Sequence, residues 1–292
     1  MNSGGFILPI SIRCAPVRER YDFKLLENNE EISVGKCKMK NKIEIAVIGS
    51  GTAIPTKNHS PASIFMSAHG FNALLDIGPG SISKLPYYDI NVFTIENIFI
   101  THFHPDHILD LATFFLICDF GAKERNGLNL NLVGPIGMKN FVTNLMQLFP
   151  DIQFPSNPIN YIEMDQSEIN INQCRVQSIL SGHTKNSISY RFEFNQTTII
   201  YTGDCIYSKG LEDFSYNSDL LICECSFPEG WETKDHMTSR EVGSLAQKAL
   251  VKKLIVTHLY PPAFEVDIKS QIAKYYSGEI LIATDGDRIT IQ

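Results

Sequence analysis

Thr101-His102-Phe103-His104-Pro105-Asp106-His107 is the stretch on which the reading of this chain turns. In extended backbone, residues two apart point the same way, so His102 and His104 can reach one metal ion together. Pro105 suits the first position of a helix. The chain then turns, and Asp106 and His107 can face a second ion beside the first. Imidazole and carboxylate are ligands that zinc accepts, with manganese and iron as alternatives. The plain alternative is a chance cluster in a surface loop. Three histidines and an aspartate at fixed short offsets favour the metal reading.

The flanks are regular. Residues 95–101 read as a strand running into the cluster, and residues 108–119 carry apolar side chains at helical spacing. Upstream, 43–48, 63–67 and 72–76 read as strands, with a turn at His69-Gly70. Downstream, 128–133 reads as a strand and 137–148 as a helix. In the second half, strands are expected at 174–180, 187–194, 197–202, 219–225 and 253–257. Helices are expected at 239–251, capped by Thr238, and at 266–276. Two short strands near Asp285 end the chain. This alternation predicts an α/β protein in which two sheets pack together with helices outside. Residues 120–131 and 149–167 are expected to border the pocket mouth.

Composition sets the frame. The chain has 292 residues, 43% hydrophobic and 20% charged, which is globular and enough for one large domain. We place that domain at 42–292, preceded by an N-terminal extension, 1–41, that the patterns do not resolve. No apolar run approaches the ~20 residues of a membrane span, so no membrane contact is expected. The apolar patch at residues 6–10 is broken by Pro9 and lacks a basic leader, so a secretory signal is not expected. Seven cysteines in no framework read as reduced thiols of a cytoplasmic protein. Cys223 and Cys225 flank Glu224 in a strand-like stretch and read as core, and Cys205 as buried rather than reactive. A formal net charge of −7 argues against a broad basic surface for duplex nucleic acid.

Two metals need more ligands, from other strand ends. His183, Asp204 and His258 each follow an expected strand. Singly, each reads more readily as a turn or cap residue. Together with the cluster they resemble the metallo-β-lactamase superfamily, in the HxHxDH run, the later His, the Asp after a Gly, and a final His. The resemblance spans 42–292. It implies an αββα four-layer sandwich, two mixed β-sheets flanked by helices. It also implies that His102, His104 and His183 hold one ion, that Asp106, His107 and His258 hold the other, and that Asp204 bridges them. Asp76 resembles the superfamily's early aspartate that orients the histidine loop. Two ions ~3.5–4 Å apart can share a hydroxide nucleophile near neutral pH. Two dications against two aspartates and a hydroxide leave about +1, which attracts an anionic ester.

Within the superfamily the chain resembles the ribonuclease Z branch. Gly49-Ser50-Gly51-Thr52-Ala53-Ile54-Pro55-Thr56, Glu224-Cys225-Ser226-Phe227, His236-Met237-Thr238 and the ending Asp285-Gly286-Asp287 carry the likeness. It implies a dinuclear metal-dependent phosphodiesterase, with zinc as the expected metal. His236 is then the candidate for the scissile phosphate and leaving group, Asp106 a candidate base, and Glu224 a candidate partner of His236. Lys57 is a candidate phosphate contact, although His59 stands where the branch has Arg. The long basic arm that grips tRNA is absent, since only 20 residues separate His183 from Asp204. Relatives without the arm tend towards cyclic-nucleotide and other small phosphodiesters. The expected substrate is therefore an anionic phosphodiester, a small molecule or an RNA 3′ end, turned over by a homodimer. The competing readings are a lactonase, thioesterase or other carboxylic ester or amide hydrolase, which does not need His236, and a non-catalytic binding protein on the same fold.

Overall fold

Alternate residues of each central strand enter different cores. In β1 (Ile43–Gly49), Ile43, Ile45 and Val47 enter a core shared by two sheets, while Ala46 and Ile48 enter a second core under helices. The structure is a computed structural model that describes residues 42–54, 56–68, 70–121, 129–152 and 159–291. The expectations for 1–41, Pro55 and His69, and parts of those for 120–131 and 149–167, lie outside the described residues.

Two seven-stranded sheets form the centre. One runs β14 (Arg288–Ile291), β1, β2 (Ser63–Ala68), β3 (Phe71–Leu75), β4 (Asn97–Phe99), β5 (Leu130–Pro135), β6 (Ile159–Met164). The other runs β13 (Glu279–Ile282), β12 (Lys253–Thr257), β11 (Leu220–Glu224), β10 (Thr197–Tyr201), β9 (Ile188–Phe194), β8 (Cys174–Leu180), β7 (Glu168–Ile171). Phe99, Tyr190 and Phe192 meet edge-on between the sheets. Cutting such a side chain to alanine costs ~3–5 kcal/mol. The outer faces lie under helices, among them Asp110–Phe120 and Met138–Gln147 on the first sheet and Ser239–Lys248 and Ile268–Ala273 on the second. The chain is thus a four-layer αββα sandwich of mixed sheets.

Strand direction places the site. β3, β4 and β5 are mutually parallel, and so are β10, β11 and β12. β8 lies two antiparallel steps from β10 and shares its direction. The C-terminal ends of β3, β4, β8, β10, β11 and β12 therefore reach the same edges of their sheets, where open α/β sheets carry their ligands. Asp76, His102, His183, Asp204, Glu224 and His258 all follow or finish those strands. The Ile188 amide bonds the Thr101 carbonyl at 3.0 Å and ties the two edges together.

Several element boundaries differ from expectation. β4 stops at Phe99 because the Thr101 amide turns to the Asp76 carboxylate, at 2.8 Å, instead of a neighbouring strand. Residues 149–167 do not simply border the mouth. They contain β6, an edge strand whose half-exposed pattern hid its period. β7, equally exposed, was hidden in the same way. The helix expected at 239–251 ends at Lys248, and Leu250 then takes a left-handed turn at φ 52°. The one expected at 266–276 is Ile268–Ala273. Thr238 caps Ser239–Lys248 through a reciprocal pair with Glu241, and Pro105 is the first residue of Pro105–Ile108.

Candidate metal centre

The seven expected ligands meet in one place. Ligand atoms of His102, His104, His183 and Asp204 lie within 4.8 Å of one another, and so do those of Asp106, His107 and His258. Asp204 faces both groups with different oxygens. Its Oδ2 lies 3.7 Å from His102 Nε2 and 3.6 Å from His183 Nε2. Its Oδ1 lies 3.3 Å from His107 Nε2 and 3.2 Å from His258 Nε2. Asp106 Oδ2 closes the second group, at 3.7 Å from His107 Nε2 and 3.6 Å from His258 Nε2. Ligands ~2.0–2.1 Å from a tetrahedral zinc stand about 3.3 Å apart, so these separations suit a divalent ion. Among the described residues, His102 Nε2 and Asp204 Oδ1 are buried without a hydrogen-bond partner, which native interiors avoid unless a ligand binds there.

The far ring nitrogens settle which atom faces inward. Asp76 is fully buried, with a left-handed φ of 56°, and its Oδ2 accepts His107 Nδ1–H at 2.7 Å. The same oxygen accepts the hydroxyls of Thr101 and Tyr201, both at 2.8 Å. Having spent its proton on Asp76, Thr101 Oγ1 accepts from His102 Nδ1 at 3.0 Å. His183 Nδ1 donates to the Asp235 carbonyl at 2.7 Å. His258 Nδ1 donates to Ser226 Oγ at 3.4 Å. Each of these four partners is an acceptor, so each assigns the proton to Nδ1 and leaves the Nε2 lone pair free for a metal. His104 differs and turns Nδ1 inward, 3.1 Å from His183 Nε2.

The electrostatics favour a cation. Burial, joined by the charge of His107, holds the His102 pKa well below its ordinary value and keeps its ring neutral. At His107 burial pulls the same way, but Asp204 and Asp76 outweigh it and the pKa rises well above the ordinary value. Burial would raise Asp204, yet His258 and His107 hold it well below the carboxylate range. Without a cation the centre thus holds protons against its carboxylates, and metal must displace them.

His236 stands at the rim. Its Nδ1 donates to Glu224 Oε1 at 3.0 Å and Oε2 at 3.2 Å. Its ring lies 4.7 Å from that of His183 and 5.7 Å from that of His258. Burial opposes its charged form, but the Glu224 hydrogen bond and charge push the pKa up to about 9. Bound dications act in the opposite direction. Glu224 is itself buried. It also accepts from the Cys205 amide at 2.7 Å and Ser226 Oγ at 2.5 Å. Beyond His236, Tyr260, Phe227 and Trp231 form a stack, with Phe227 centroids 5.3 Å from Tyr260 and 5.2 Å from Trp231. Trp231, the one tryptophan of the chain, is 47% exposed. Lys57 lies exposed on the loop 56–60. Cys205, Cys223 and Cys225 are buried free thiols, and burial raises the pKa of Cys205 and Cys225 well above the ordinary value.

The roles of Thr101, Tyr201 and Ser226 were not read from the sequence. A hydroxyl next to a strand end is common, and only the fold shows which carboxylate it meets.

Comparison with known proteins gives the same architecture. Ribonuclease Z of Haloarcula marismortui is 22% identical, over 84% of this chain and 95% of its own. The crystal structure of the metallo-β-lactamase fold protein YhfI from Bacillus subtilis matches with a TM-score of 0.72 at 23% identity, covering 85% of this chain and 99% of that one. The short form of human tRNase Z matches with a TM-score of 0.69 at 20% identity, covering 84% and 98%. Fold and site together define a protein of the metallo-β-lactamase superfamily, in its ribonuclease Z-like branch. Within that class, the chain belongs to the family described as Anti-Pycsar protein Apyc1, whose profile matches residues 43–277.

Proposed function

We propose that this chain is a phosphodiesterase that works with two divalent metal ions. The observation that carries the reading is the His236–Glu224 pair, placed beside the metal-ligand groups. His102, His104 and His183 would hold one ion, Asp106, His107 and His258 the other, and Asp204 both. Bound there, divalent ions supply Lewis acidity and a nucleophile near neutral pH. A donor set of imidazoles and carboxylates without thiolate supports zinc, with manganese or iron as substitutes.

The chain's own residues supply the rest. Glu224 accepts the hydrogen bond from His236 Nδ1–H, so Nε2 is the atom left to meet substrate. In the protonated ring that atom carries a proton for a leaving oxygen. Asp106 meets His107 and His258 through Oδ2, so the base role falls to its other oxygen. Asp76 fixes His107 and, through Thr101, His102.

For substrate we favour a small nucleoside phosphodiester over tRNA. Between His183 and Asp204 the chain forms only β9, β10 and a turn, which leaves no arm for long-range capture of tRNA. The exposed ring of Trp231, stacked outward from His236 through Phe227, offers a nucleobase a face. Lys57 is the candidate for a phosphate oxygen. Free buried thiols are what a reducing compartment permits. On that ground we place the protein in the cytoplasm and, by resemblance to the branch, as a homodimer. We assign hydrolysis to residues 42–292, with 1–41 as an extension.

The test is turnover of bis(p-nitrophenyl) phosphate by protein loaded with zinc or manganese. Absence of metal-dependent turnover, with a lactone or thioester hydrolysed instead, would overturn the phosphodiester reading. The single tryptophan reports on the substrate class. A nucleoside monophosphate should quench its fluorescence where inorganic phosphate does not.

A further inference from the structure

Away from the metal centre, one carboxylate is engaged on all sides. Asp285 lies in the turn between β13 and β14. Its Oδ1 accepts the Ser50 amide at 2.9 Å and the Ser50 hydroxyl at 2.9 Å. Its Oδ2 accepts the Ser60 amide at 2.9 Å and pairs with the Lys84 ammonium. Its own amide donates to the Asn58 carbonyl at 3.2 Å. The side chain is 8% exposed. One residue therefore joins the turn after β1, the loop 56–60 and the helix Ser81–Lys84.

Ser50 passes that restraint to the metal centre. Its carbonyl accepts the His258 amide at 2.7 Å and the Thr257 hydroxyl at 3.2 Å. His258 sits at φ 57°, in the left-handed region that side chains other than glycine rarely enter. Such a conformation persists only where the surroundings over-determine it. The amide bond to Ser50 supplies that determination, and the Asp285 carboxylate holds Ser50 in place to accept it. Gly49 and Gly51 flank the turn where a Cβ would strike the backbone of Pro61 and His59, so the turn is packed and cannot be rebuilt by a small shift.

We propose that Asp285 is a positioning residue for the second metal ion. It clamps Ser50, and Ser50 fixes the backbone turn that aims the His258 ring at Asp106 and Asp204. The inference rests on the two-ion reading of the centre. Through Asn58 and Ser60 the same carboxylate also fixes the loop that carries Lys57. A role confined to packing would lower the stability of the whole chain and leave the two ions alike.

The experiment strips metal from the wild type, Asp285→Ala and Asp285→Asn, and titrates each with zinc by calorimetry. Cobalt absorption serves as a second readout of the sites. In Asp285→Ala we expect the second ion to bind about 10- to 100-fold more weakly, as when ligand-supporting partners are removed elsewhere, with the first ion unchanged. Asp285→Asn keeps the volume and one oxygen for Ser50. It should show the same selective loss, smaller in size, and it carries the test if the alanine variant does not fold. Two ions bound as in the wild type by both variants, or equal weakening of both ions, would overturn the proposal. A wild type that binds fewer than two ions removes the reading on which it rests, and that result is visible before any variant is compared.

Discussion

Each half of the molecule ends a strand in a buried carboxylate, and the two carboxylates organise their surroundings in parallel ways. Asp76, after β3, holds His107 directly and His102 through the hydroxyl of Thr101. Glu224, at the end of β11, holds His236 directly and His258 through the hydroxyl of Ser226. The pattern is the same in both: carboxylate, one imidazole, one hydroxyl, a second imidazole. The outcome differs. Both histidines around Asp76 turn Nε2 towards Asp204, inside the candidate ligand groups. Of the two around Glu224, His258 joins Asp106 and His107, while His236 stands at the rim with a ring nitrogen within 4.8 Å of ligand atoms of Asp204 and His258. On the proposed reading, one hub builds the metal site, and the other joins it to His236 as the residue that acts on substrate.

Removing Asp76 should have the largest effect. Asp76→Ala leaves the Thr101 amide, the Thr101 and Tyr201 hydroxyls and His107 Nδ1 without their buried acceptor. Breaking a buried polar hub of this kind costs ~3–5 kcal/mol. Chemical denaturation of the metal-free protein should show a loss of that order, and elemental analysis should find the protein almost devoid of zinc. Near-normal zinc content would mean that the histidines orient themselves and that Asp76 is a packing residue.

His236→Ala comes next, and it separates the hubs. General acid–base groups contribute ~10²–10⁴-fold to rate, so kcat on bis(p-nitrophenyl) phosphate should fall by that factor. Both zinc ions should remain, because His102, His104 and His183 form one ligand group, Asp106, His107 and His258 the other, and Asp204 faces both without His236. Loss of an ion together with activity would make His236 a ligand and erase the difference between the two hubs.

A pH experiment sharpens the same contrast. Glu224 raises the His236 pKa from its ordinary 6.5 to about 9. A raised pKa means that the pair's stabilisation is fully present below pH 6.5 and is lost as the pH rises through about 9. Metal-free protein in chelator should therefore lose stability across that interval. In Glu224→Gln the loss should flatten, since an amide gives the charged ring no counter-charge. An unchanged slope would show that another group titrates there.

How much of this was legible depends on distance along the chain. His102 to His107 could be read locally, because ligand types at offsets of two and three carry their own geometry. His183, Asp204 and His258 were candidates by their strand-end placement and were assigned to ions only through family resemblance, because their meeting brings together residues as far as 79 and 151 positions apart. Their common placement follows from strand direction, which the sequence does not display. β6 and β7 escaped because edge strands bury too little to show a period. The bond from Asp285 to Ser50 spans 235 residues, and no local pattern points from one to the other.

The two hydroxyl relays provide the finest test, with the smallest expected effect. Thr101 Oγ1 meets His102 Nδ1 at 3.0 Å and also secures the end of β4 through its amide. Ser226 Oγ meets His258 Nδ1 at 3.4 Å, near the limit of a useful hydrogen bond. His258 has a second restraint in its amide bond to Ser50. Thr101→Ala should therefore weaken the first ion by about 10-fold, at the lower end for a lost ligand partner. Ser226→Ala should weaken the second ion by no more than a few-fold, because the Ser50 bond still aims the ring. Zinc titration of the two variants side by side decides the point. A larger loss in Ser226→Ala than in Thr101→Ala would mean that the Glu224 hub, rather than the backbone turn at His258, sets the second ion, and the two hubs would then be alike in function as well as in plan.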